Sequence, residues 1–347
     1  MPNRSIQNHP FLAACRREAV PHTPVWLMRQ AGRYMEDYRA LRAQYGFLEL
    51  CKKPDLAAEI TVTPVERLKV DAAILFADIL LILEPMGVGL EYSKGDGPVI
   101  HRPVRSGKDV DGLKDFDPEK ELSFVYEAVK KTRAALDNRV PLIGFAGAPF
   151  TLASYLIEGA GSRNYIHAKK LYYTAPEVWH CLLQRLSRLI TKYLNCQIAA
   201  GAQAVQLFDS WAGCLTPDDY EHFVLPYTRS VIAGITPGVP VISFSTGTAG
   251  LLKHIRAAGG DVIGLDWRIN LDEGWATVGH DVALQGNLDP VALFAPPKEI
   301  RRRVADVLDR AGNRPGHIFN LGHGVLPETP VDHVIAMVEA VHELSAR

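Results

Sequence analysis

The sequence predicts an α/β protein, a somewhat distorted (β/α)8 TIM barrel folded as a single domain over residues 1–347. Three observations predict this fold. Eight short apolar runs with β-forming residues alternate with helix-forming segments. The runs are continuously apolar, which is typical of parallel strands that are covered on both faces. Each run is followed by a polar or glycine-containing break, where barrel enzymes place their functional loops.

The eight predicted strands are each three to five residues long. In chain order they are Val25–Met28, Ala73–Ala77, Leu142–Phe145, Ala204–Phe208, Val241–Phe244, Val262–Leu265, Val282–Leu284 and Ile318–Leu321. A doubly wound open sheet is the alternative architecture, but no GxGxxG fingerprint follows any predicted strand. Residues 86–105 interrupt the alternation and predict an inserted hairpin with Gly95-Asp-Gly97 at its tip.

Two helix starts can be predicted from local chemistry. Thr216 and Thr329 each precede a proline, and an acidic residue follows in the first turn. A threonine cap before Pro at the first helical position is typical of a helix N-terminus. The last segment then has apolar residues at helical spacing and predicts a helix that packs on the sheet, with the stripe Val331, Val334, Ile335, Val338 and Val341.

Composition limits the possible classes of protein. The formal net charge of −1 gives no global basic field for nucleic acid, so we expect no such partner. The five cysteines have no CxxC spacing, which argues against a disulfide framework and favours a reducing cytoplasm. The N-terminus lacks the apolar core of a signal peptide. The most apolar stretch, 72–83, is about half the ~20 residues needed to span a bilayer, so we expect no membrane contact.

Reactive side chains follow the predicted strands. In barrel enzymes, the loops at the carboxyl ends of the strands assemble the active site. The sequence therefore predicts an enzyme site at this face, formed by Arg29, Asp78, Gly147–Thr151, Asp209-Ser210, Ser245–Gly247, Asp266–Arg268, Gly286-Asn287 and Gly322–Gly324.

Arg29 and Arg33 are candidates for binding an anion. If a helix begins at Arg29, the two guanidinium groups share one face because they are four residues apart. Two such charges beside an apolar strand cost desolvation energy unless an anion meets them. Asp78 lies in an apolar setting, where an unpaired carboxylate is also costly. The alternative for all three is a structural ion pair, in which Asp78 binds one of the arginines.

Other candidates have structural alternatives as well. Ser210 could cap a helix, and His323 could be a buried histidine with satisfied hydrogen bonds. Tyr155 could pack in the core. We expect Asp209 and Asp266 to pair with the arginines, and Ser245 to cap a helix. The sequence contains no GxSxG elbow, no P-loop, no lysine at a strand end and no cluster with metal-ligand spacing, so no metal site is predicted.

Six motifs together resemble the uroporphyrinogen decarboxylase family, from about residue 9 to 344. They are WLMRQAGRYMEDYR (26–39), FADIL (76–80), GFAGAPFTLASYLIEG (144–159), FDSWAG (208–213), LQGNLDP (284–290) and FNLGHGVLPETP (319–330). The resemblance implies a homodimeric, cofactor-free enzyme of haem and porphyrin biosynthesis. Such an enzyme removes the four acetate carboxyls of uroporphyrinogen III as CO2 and gives coproporphyrinogen III.

The resemblance also implies roles for individual residues. Asp78 would accept hydrogen bonds from the pyrrole N–H groups of the substrate and stabilise positive charge on the ring. Arg29 would be catalytic with it. The substrate-binding residues implied are Arg29, Gln30, Ala31, Gly32, Arg33, Asp78, Tyr155, Phe208, Ser210 and His323.

The proton donor to the pyrrole carbon is left open between Arg29 or a water bound to it, and a relay through His323 or Tyr155. Two other functions remain as alternatives. A corrinoid-dependent methyltransferase of the same fold would need a thiolate zinc site, which Cys214 alone does not supply. A non-catalytic tetrapyrrole-binding protein would release its ligand unchanged.

Overall fold

The computed structural model describes residues 6–93 and 97–347 and contains a seven-stranded parallel sheet. A separate antiparallel pair, β2 (Leu90–Ser93) and β3 (Gly97–Ile100), forms a hairpin. The strands of the main sheet follow in the order β1 (Ala73–Ile74), β4 (Leu142–Gly147), β5 (Ala204–Asp209), β6 (Val241–Ser245), β7 (Val262–Gly264), β8 (Ala283–Gln285) and β9 (His317–Ile318).

The segment around Val25 closes the sheet into a barrel. Val25 forms a parallel bridge with Phe319, just beyond β9. Its carbonyl accepts a hydrogen bond from Asp71 N at 2.7 Å, just before β1. The prediction of a strand at Val25–Met28 is therefore wrong. A single bridging residue, Val25, takes the place of the eighth strand in the barrel. The chain leaves this position because Arg29 has a left-handed φ of 59°.

Helices follow the strands and cover the barrel. Their bounds are α1 (Pro10–Cys15), α2 (Glu36–Gln44), α3 (Phe47–Cys51), α4 (Pro54–Leu68), α5 (Gly107–Asp111), α6 (Pro118–Glu121), α7 (Ser123–Leu136), α8 (Pro149–Glu158), α9 (Ile166–Thr174), α10 (Pro176–Ala200), α11 (Pro217–Phe223), α12 (Leu225–Ala233), α13 (Leu252–Ala258), α14 (Leu271–Val278), α15 (Pro297–Ala311) and α16 (Val331–Leu344). Short 3-10 turns lie at Ile6–Asn8, Leu81–Met86, Ala212–Cys214, Ala249–Leu251 and Pro290–Phe294. In the described ranges, no helix is both long and apolar enough to cross a membrane.

One of the two predicted helix caps is confirmed. Thr216 accepts a hydrogen bond from Asp219 N and caps α11. Thr329 does not cap α16, because that helix begins at Val331 and Pro330 occupies the cap position. The Thr329 hydroxyl is instead buried without a partner among the described residues. The predicted apolar stripe of α16 does pack inward, with Val334, Val338 and Val341 buried.

The inserted hairpin predicted near 86–105 is confirmed as β2 and β3. Its predicted tip, Gly95-Asp-Gly97, falls mostly on residues 94–96, which lie outside the described residues. The hairpin is attached to the barrel because Ile100 N donates to the carbonyl of Gly159, at the end of α8. This contact holds β2 beside the carboxyl ends of the strands.

The barrel interior contains a polar chain beneath an aromatic layer. Trp26 Nε1 donates to Gln285 Oε1 at 2.9 Å, and Gln285 Nε2 donates to Gln206 Oε1 at 3.1 Å. Because β5 and β8 are not neighbours in the sheet, this chain crosses the interior. Two residues further along β5, Phe208 packs edge-on against Phe244 at 5.9 Å between ring centroids. Phe208 is partly exposed at the carboxyl end of β5, above this core.

Candidate active site

Asp78 lies beyond the carboxyl end of β1, where the chain turns into the 3-10 segment Leu81–Met86. Its Oδ1 accepts hydrogen bonds from Leu80 N at 2.8 Å and from the hydroxyl of Tyr92 at 2.5 Å. Within residues 6–93 and 97–347, no ion pair joins its carboxylate to Arg29 or Arg33. The structural ion pair considered from the sequence is therefore not formed.

The carboxyl group of Asp78 is electrostatically unusual. Burial raises its pKa, and the hydrogen bonds from Tyr92 and Leu80 N together with the nearby charge of Arg29 oppose this only in part. A raised pKa means that the site disfavours the negative charge in the absence of a cationic or hydrogen-donating ligand. A ligand with several N–H donors would supply what this carboxylate lacks.

Arg29 lies in a turn rather than at the start of a helix. The expected common helical face of Arg29 and Arg33 is wrong, because α2 begins only at Glu36. The aliphatic stem of Arg29 instead packs on Gly324, where an added Cβ would lie 2.5 Å from Arg29 Cδ. The guanidinium of Arg29 is exposed and has no carboxylate partner among the described residues.

The residues between the two arginines hold the turn together. Gln30 is fully buried; its Oε1 accepts from Leu27 N and its Nε2 donates to the carbonyl of Ala72, which precedes β1. These bonds occupy the Gln30 side chain and make it a structural link between the turn and the sheet. Ala31 and Gly32 are partly exposed, and the Arg33 side chain is exposed.

Tyr155 and His323 face the same region as Arg29 and Asp78. Burial, together with the charge of Asp78, raises the pKa of Tyr155 to about 12, although a hydrogen bond with Trp211 and the charge of Arg29 act in the opposite direction. Burial, together with the charges of Arg29 and Arg268, lowers the pKa of His323 to about 4, although the charge of Asp266 acts in the opposite direction. At neutral pH the phenol therefore keeps its proton and the imidazole is uncharged. Asp78 and Arg29 both act on the pKa of Tyr155, and Arg29 also acts on that of His323, so the four predicted residues lie in one region.

The carboxyl end of β5 contributes the side chains of Phe208 and Ser210, which are both partly exposed. Between them, Asp209 is buried and accepts a hydrogen bond from Thr151 Oγ1 at 2.8 Å. Burial raises the pKa of Asp209 to about 6, although the bonds from Thr151 lower it. Ser210 does not cap a helix; its carbonyl accepts from the hydroxyl of Thr246.

Two other expectations need correction. Asp209 and Asp266 do not pair with Arg29 or Arg33: Asp209 takes Thr151, and Asp266 forms an ion pair with Arg268 at 2.5 Å. Ser245 does not cap a helix, since its hydroxyl bonds that of Thr248 at 2.7 Å.

Tyr92 is the residue at this site that sequence reasoning missed. It lies on β2, opposite Pro98 on β3, and reaches Asp78 through the fold of the hairpin. No spacing rule links a residue on one strand of a hairpin to an aspartate in a preceding turn. The alternation of the hairpin could have shown which residues share its inner face, but not which group they meet.

Metal-ligand spacing occurs elsewhere in the molecule. In the described part of the chain, the group of three His, Cys, Asp or Glu side chains with such spacing is His22, Asp71 and His342. Asp71 lies before β1, at the end of the barrel opposite Asp78, and the group contains no cysteine. It is therefore neither at the candidate site nor the thiolate set that a corrinoid-dependent methyltransferase would need.

The fold and this site define a TIM-barrel enzyme whose cleft offers an exposed arginine and a carboxylate with no cationic partner. The family model described as "Uroporphyrinogen decarboxylase (URO-D)" matches residues 6–344. The chain belongs to the uroporphyrinogen decarboxylase family, the carboxy-lyases of haem and porphyrin biosynthesis. This confirms the family predicted from the six motifs.

Relatives with this family name are similar over nearly the whole chain. The uroporphyrinogen decarboxylase of Carboxydothermus hydrogenoformans is 58% identical over 98% of this chain and 97% of its own. That of Roseiflexus sp. is 56% identical over 97% and 98%. A methyltransferase from Methanosarcina mazei has a TM-score of 0.81 at 19% identity, over 98% of both chains. This last likeness confirms the predicted fold and shows the fold alone.

Proposed function

We propose that the protein removes the four acetate carboxyl groups of uroporphyrinogen III as CO2, without a cofactor, to give coproporphyrinogen III. The observation that supports this best is the carboxylate of Asp78. Its Oδ1 accepts hydrogen bonds from Leu80 N and Tyr92, and the group has no cationic partner among the described residues. A porphyrinogen presents four pyrrole N–H donors at its centre, and one carboxylate can accept several of them.

The substrate is also rich in carboxylates, which suits the arginines. Arg29 and Arg33 would bind its acid side chains through charge-assisted hydrogen bonds, and the turn Gln30–Gly32 would hold the two arginines in place. Tyr155, Ser210 and His323 would supply further polar contacts. Phe208 would form an apolar wall under the macrocycle. In this arrangement the two exposed arginines and the unpaired carboxylate of Asp78 each gain a partner when substrate binds.

The pyrrole itself can replace a cofactor in this reaction. A proton added to the ring carbon beside an acetate arm makes a cationic electron sink. The electron pair of the bond to the carboxylate then moves into the ring, CO2 leaves, and an exocyclic methylene remains. A second proton on that methylene gives the methyl group, and loss of the proton from the ring carbon restores the pyrrole. Asp78 would stabilise the positive charge, a role that typically contributes ~3–4 kcal/mol to lowering the barrier.

The first proton would come from Arg29 or from a water that Arg29 holds. The structure offers two other groups near the same point, neutral His323 and protonated Tyr155. Either could relay a proton to the ring carbon. Arg29→Lys separates these routes, because it keeps the charge and loses the guanidinium fork. We expect a large loss of turnover in this variant, and full turnover would exclude a role for the fork.

The active form would be a homodimer of single-domain protomers, by the resemblance to the family. Sedimentation at micromolar concentration measures this directly, and a monomer with full activity would contradict it.

The deciding experiment incubates the purified protein with chemically reduced uroporphyrinogen III under anaerobic conditions. Product masses are followed with time, and we expect successive losses of CO2 that end after four. A tetrapyrrole carrier would return the substrate with its mass unchanged. A methyltransferase would leave the carboxyl groups in place and need bound zinc, which elemental analysis of the same sample would detect.

A further inference from the structure

The hairpin β2–β3 brings a hydroxyl group to Asp78. The Tyr92 hydroxyl oxygen lies 2.5 Å from Asp78 Oδ1, and Leu80 N lies 2.8 Å from the same oxygen. Toward an ionised carboxylate both groups are donors. The two bonds therefore hold Oδ1, while Oδ2 accepts no hydrogen bond from the described residues. This asymmetry divides the carboxylate into a fixed oxygen and an available one.

Aromatic packing fixes the position of Tyr92. Its ring lies 4.9 Å from that of Phe47, between centroids, and Phe47 in turn packs edge-on against Phe76 at 5.9 Å. Phe76 is two residues before Asp78, so the three rings connect the hairpin to the turn that presents the aspartate. A ring held on one face has few rotamers left, and its hydroxyl therefore has a defined direction.

We propose that Tyr92 is the positioning residue for the decarboxylation: it holds Asp78 Oδ1 so that Oδ2 faces the pyrrole N–H groups of the substrate. This inference rests on the proposed function of Asp78 and deepens it. It also assigns a role to the inserted hairpin, because Tyr92 and its hydroxyl group lie on β2.

The electrostatics of the pair agree with this geometry. Burial and the neighbouring Asp78 both raise the pKa of Tyr92, so the phenol stays protonated and able to donate. The same hydrogen bond lowers the pKa of Asp78, against the effect of burial. The other titratable groups coupled to Asp78 are Arg29, Cys51 on α3, Tyr155 on α8 and Tyr193 on α10. Unlike these four groups, Tyr92 donates a hydrogen bond to the carboxylate of Asp78.

Tyr92→Phe tests the proposal because it keeps the ring and removes the hydroxyl. We expect kcat for CO2 release to fall by about tenfold to a hundredfold, as for the loss of one hydrogen bond to a charged group. We also expect the acid limb of the kcat profile to move to higher pH, because the pKa of Asp78 loses a lowering contribution. Tyr126→Phe is the matched control, since the hydroxyl of Tyr126 bonds the Pro118 carbonyl away from the site.

A merely structural role would lower the melting temperature of Tyr92→Phe and leave the pH profile of the folded enzyme unmoved. That result, or an unchanged kcat, would overturn the inference while Asp78→Asn remained inactive. Full activity of Asp78→Asn would instead remove the function proposed for Asp78. If Tyr92→Phe does not fold, site-specific 3-fluorotyrosine at position 92 replaces it. This more acidic phenol donates a stronger bond and should move the acid limb to lower pH; an unmoved limb would contradict the proposal.

Discussion

Asp71 and Asp78 flank the same short strand and have opposite environments. Asp71, before β1, accepts hydrogen bonds from His22, His342 and Val25 N, at 3.1, 2.8 and 2.8 Å. Burial raises its pKa, but these donors outweigh burial and the pKa falls to about 2. Asp78, after β1, has donors on one oxygen, and its pKa is raised. Both oxygens of Asp71 accept hydrogen bonds without a ligand, whereas Asp78 Oδ2 accepts none from the described residues.

The difference separates a carboxylate that the fold itself satisfies from one that it leaves available, and we expect the second to act in the chemistry. The group around Asp71 joins distant parts of the chain at the amino end of the barrel: the first segment, the start of β1 and the last helix. It is supported there by the bond from Thr23 N to Ser345 Oγ at 2.9 Å. Asp78 is partly exposed beyond the carboxyl end of β1, and its Oδ2 accepts no hydrogen bond from the described residues, so this oxygen is available to donors of a substrate.

The largest expected effect is on turnover. Asp78→Asn replaces the carboxylate by a neutral group of the same shape, so the charge that stabilises the protonated pyrrole is lost. We expect kcat to fall by about 10²–10³-fold, with the fold retained. Anaerobic turnover and thermal melting of the same sample measure both quantities. Activity within twofold of the unmodified protein would show that Asp78 has no catalytic function.

Asp71→Asn should have the reverse result. The amide can accept from Val25 N but is a weaker acceptor than the carboxylate for the bonds from His22 and His342, so we expect a loss of about 2–3 kcal/mol in the free energy of unfolding. Turnover per folded molecule should not change, because the residue lies at the opposite end of the barrel. Urea titration and active-site turnover measure the two effects. A variant that is inactive yet fully stable would contradict the division of roles.

The sequence predicts the barrel well where its signal is local. Continuous apolar runs locate β4 to β7 within a residue or two, and polar residues at their ends locate the face of the site. The prediction fails at Val25–Met28, because pairing there is limited to one residue and depends on Phe319, far away in the chain. Tyr92 is missed for the same reason. The motifs identify the family, but they do not show that Gln30 is a buried structural link.

A smaller effect is expected from the glycine that admits Arg29. Gly324→Ala would place a methyl group 2.5, 2.7 and 3.1 Å from Arg29 Cδ, Cγ and Cβ, so the whole Arg29 side chain would have to shift. We expect KM of the folded protein to rise about tenfold, equivalent to about 1.4 kcal/mol. Gly250→Ala is the matched control, because no atom lies within 4 Å of the added Cβ. An unchanged KM in Gly324→Ala would mean that Arg29 does not bind the substrate.

The smallest expected effect is the pH dependence of stability, and it has opposite signs for the two aspartates. The pKa of Asp71 is lower in the folded protein than in the unfolded chain, so its contribution is present above about pH 4 and lost as the pH falls toward 2. The pKa of Asp78 is raised, so its contribution is present below about pH 4 and lost as the pH rises through the folded value. Asp71→Asn should therefore flatten the acid side of the stability curve, and Asp78→Asn should remove a decline with rising pH.

The histidines add a test in the neutral range. The hydrogen bond to Asp71 raises the pKa of His22, although burial lowers it. Its stabilising contribution is complete below about pH 6.5 and is lost as the pH rises through the folded value. His22→Gln should therefore differ most from the unmodified protein below about pH 6.5 and converge with it as the pH rises through the folded value. Urea unfolding from about pH 2 to pH 9 measures all three variants, with Asn195→Ala as a control that changes no titrating group. If Asp71→Asn and Asp78→Asn gave parallel curves, the contrast between the two ends of β1 would have no energetic basis.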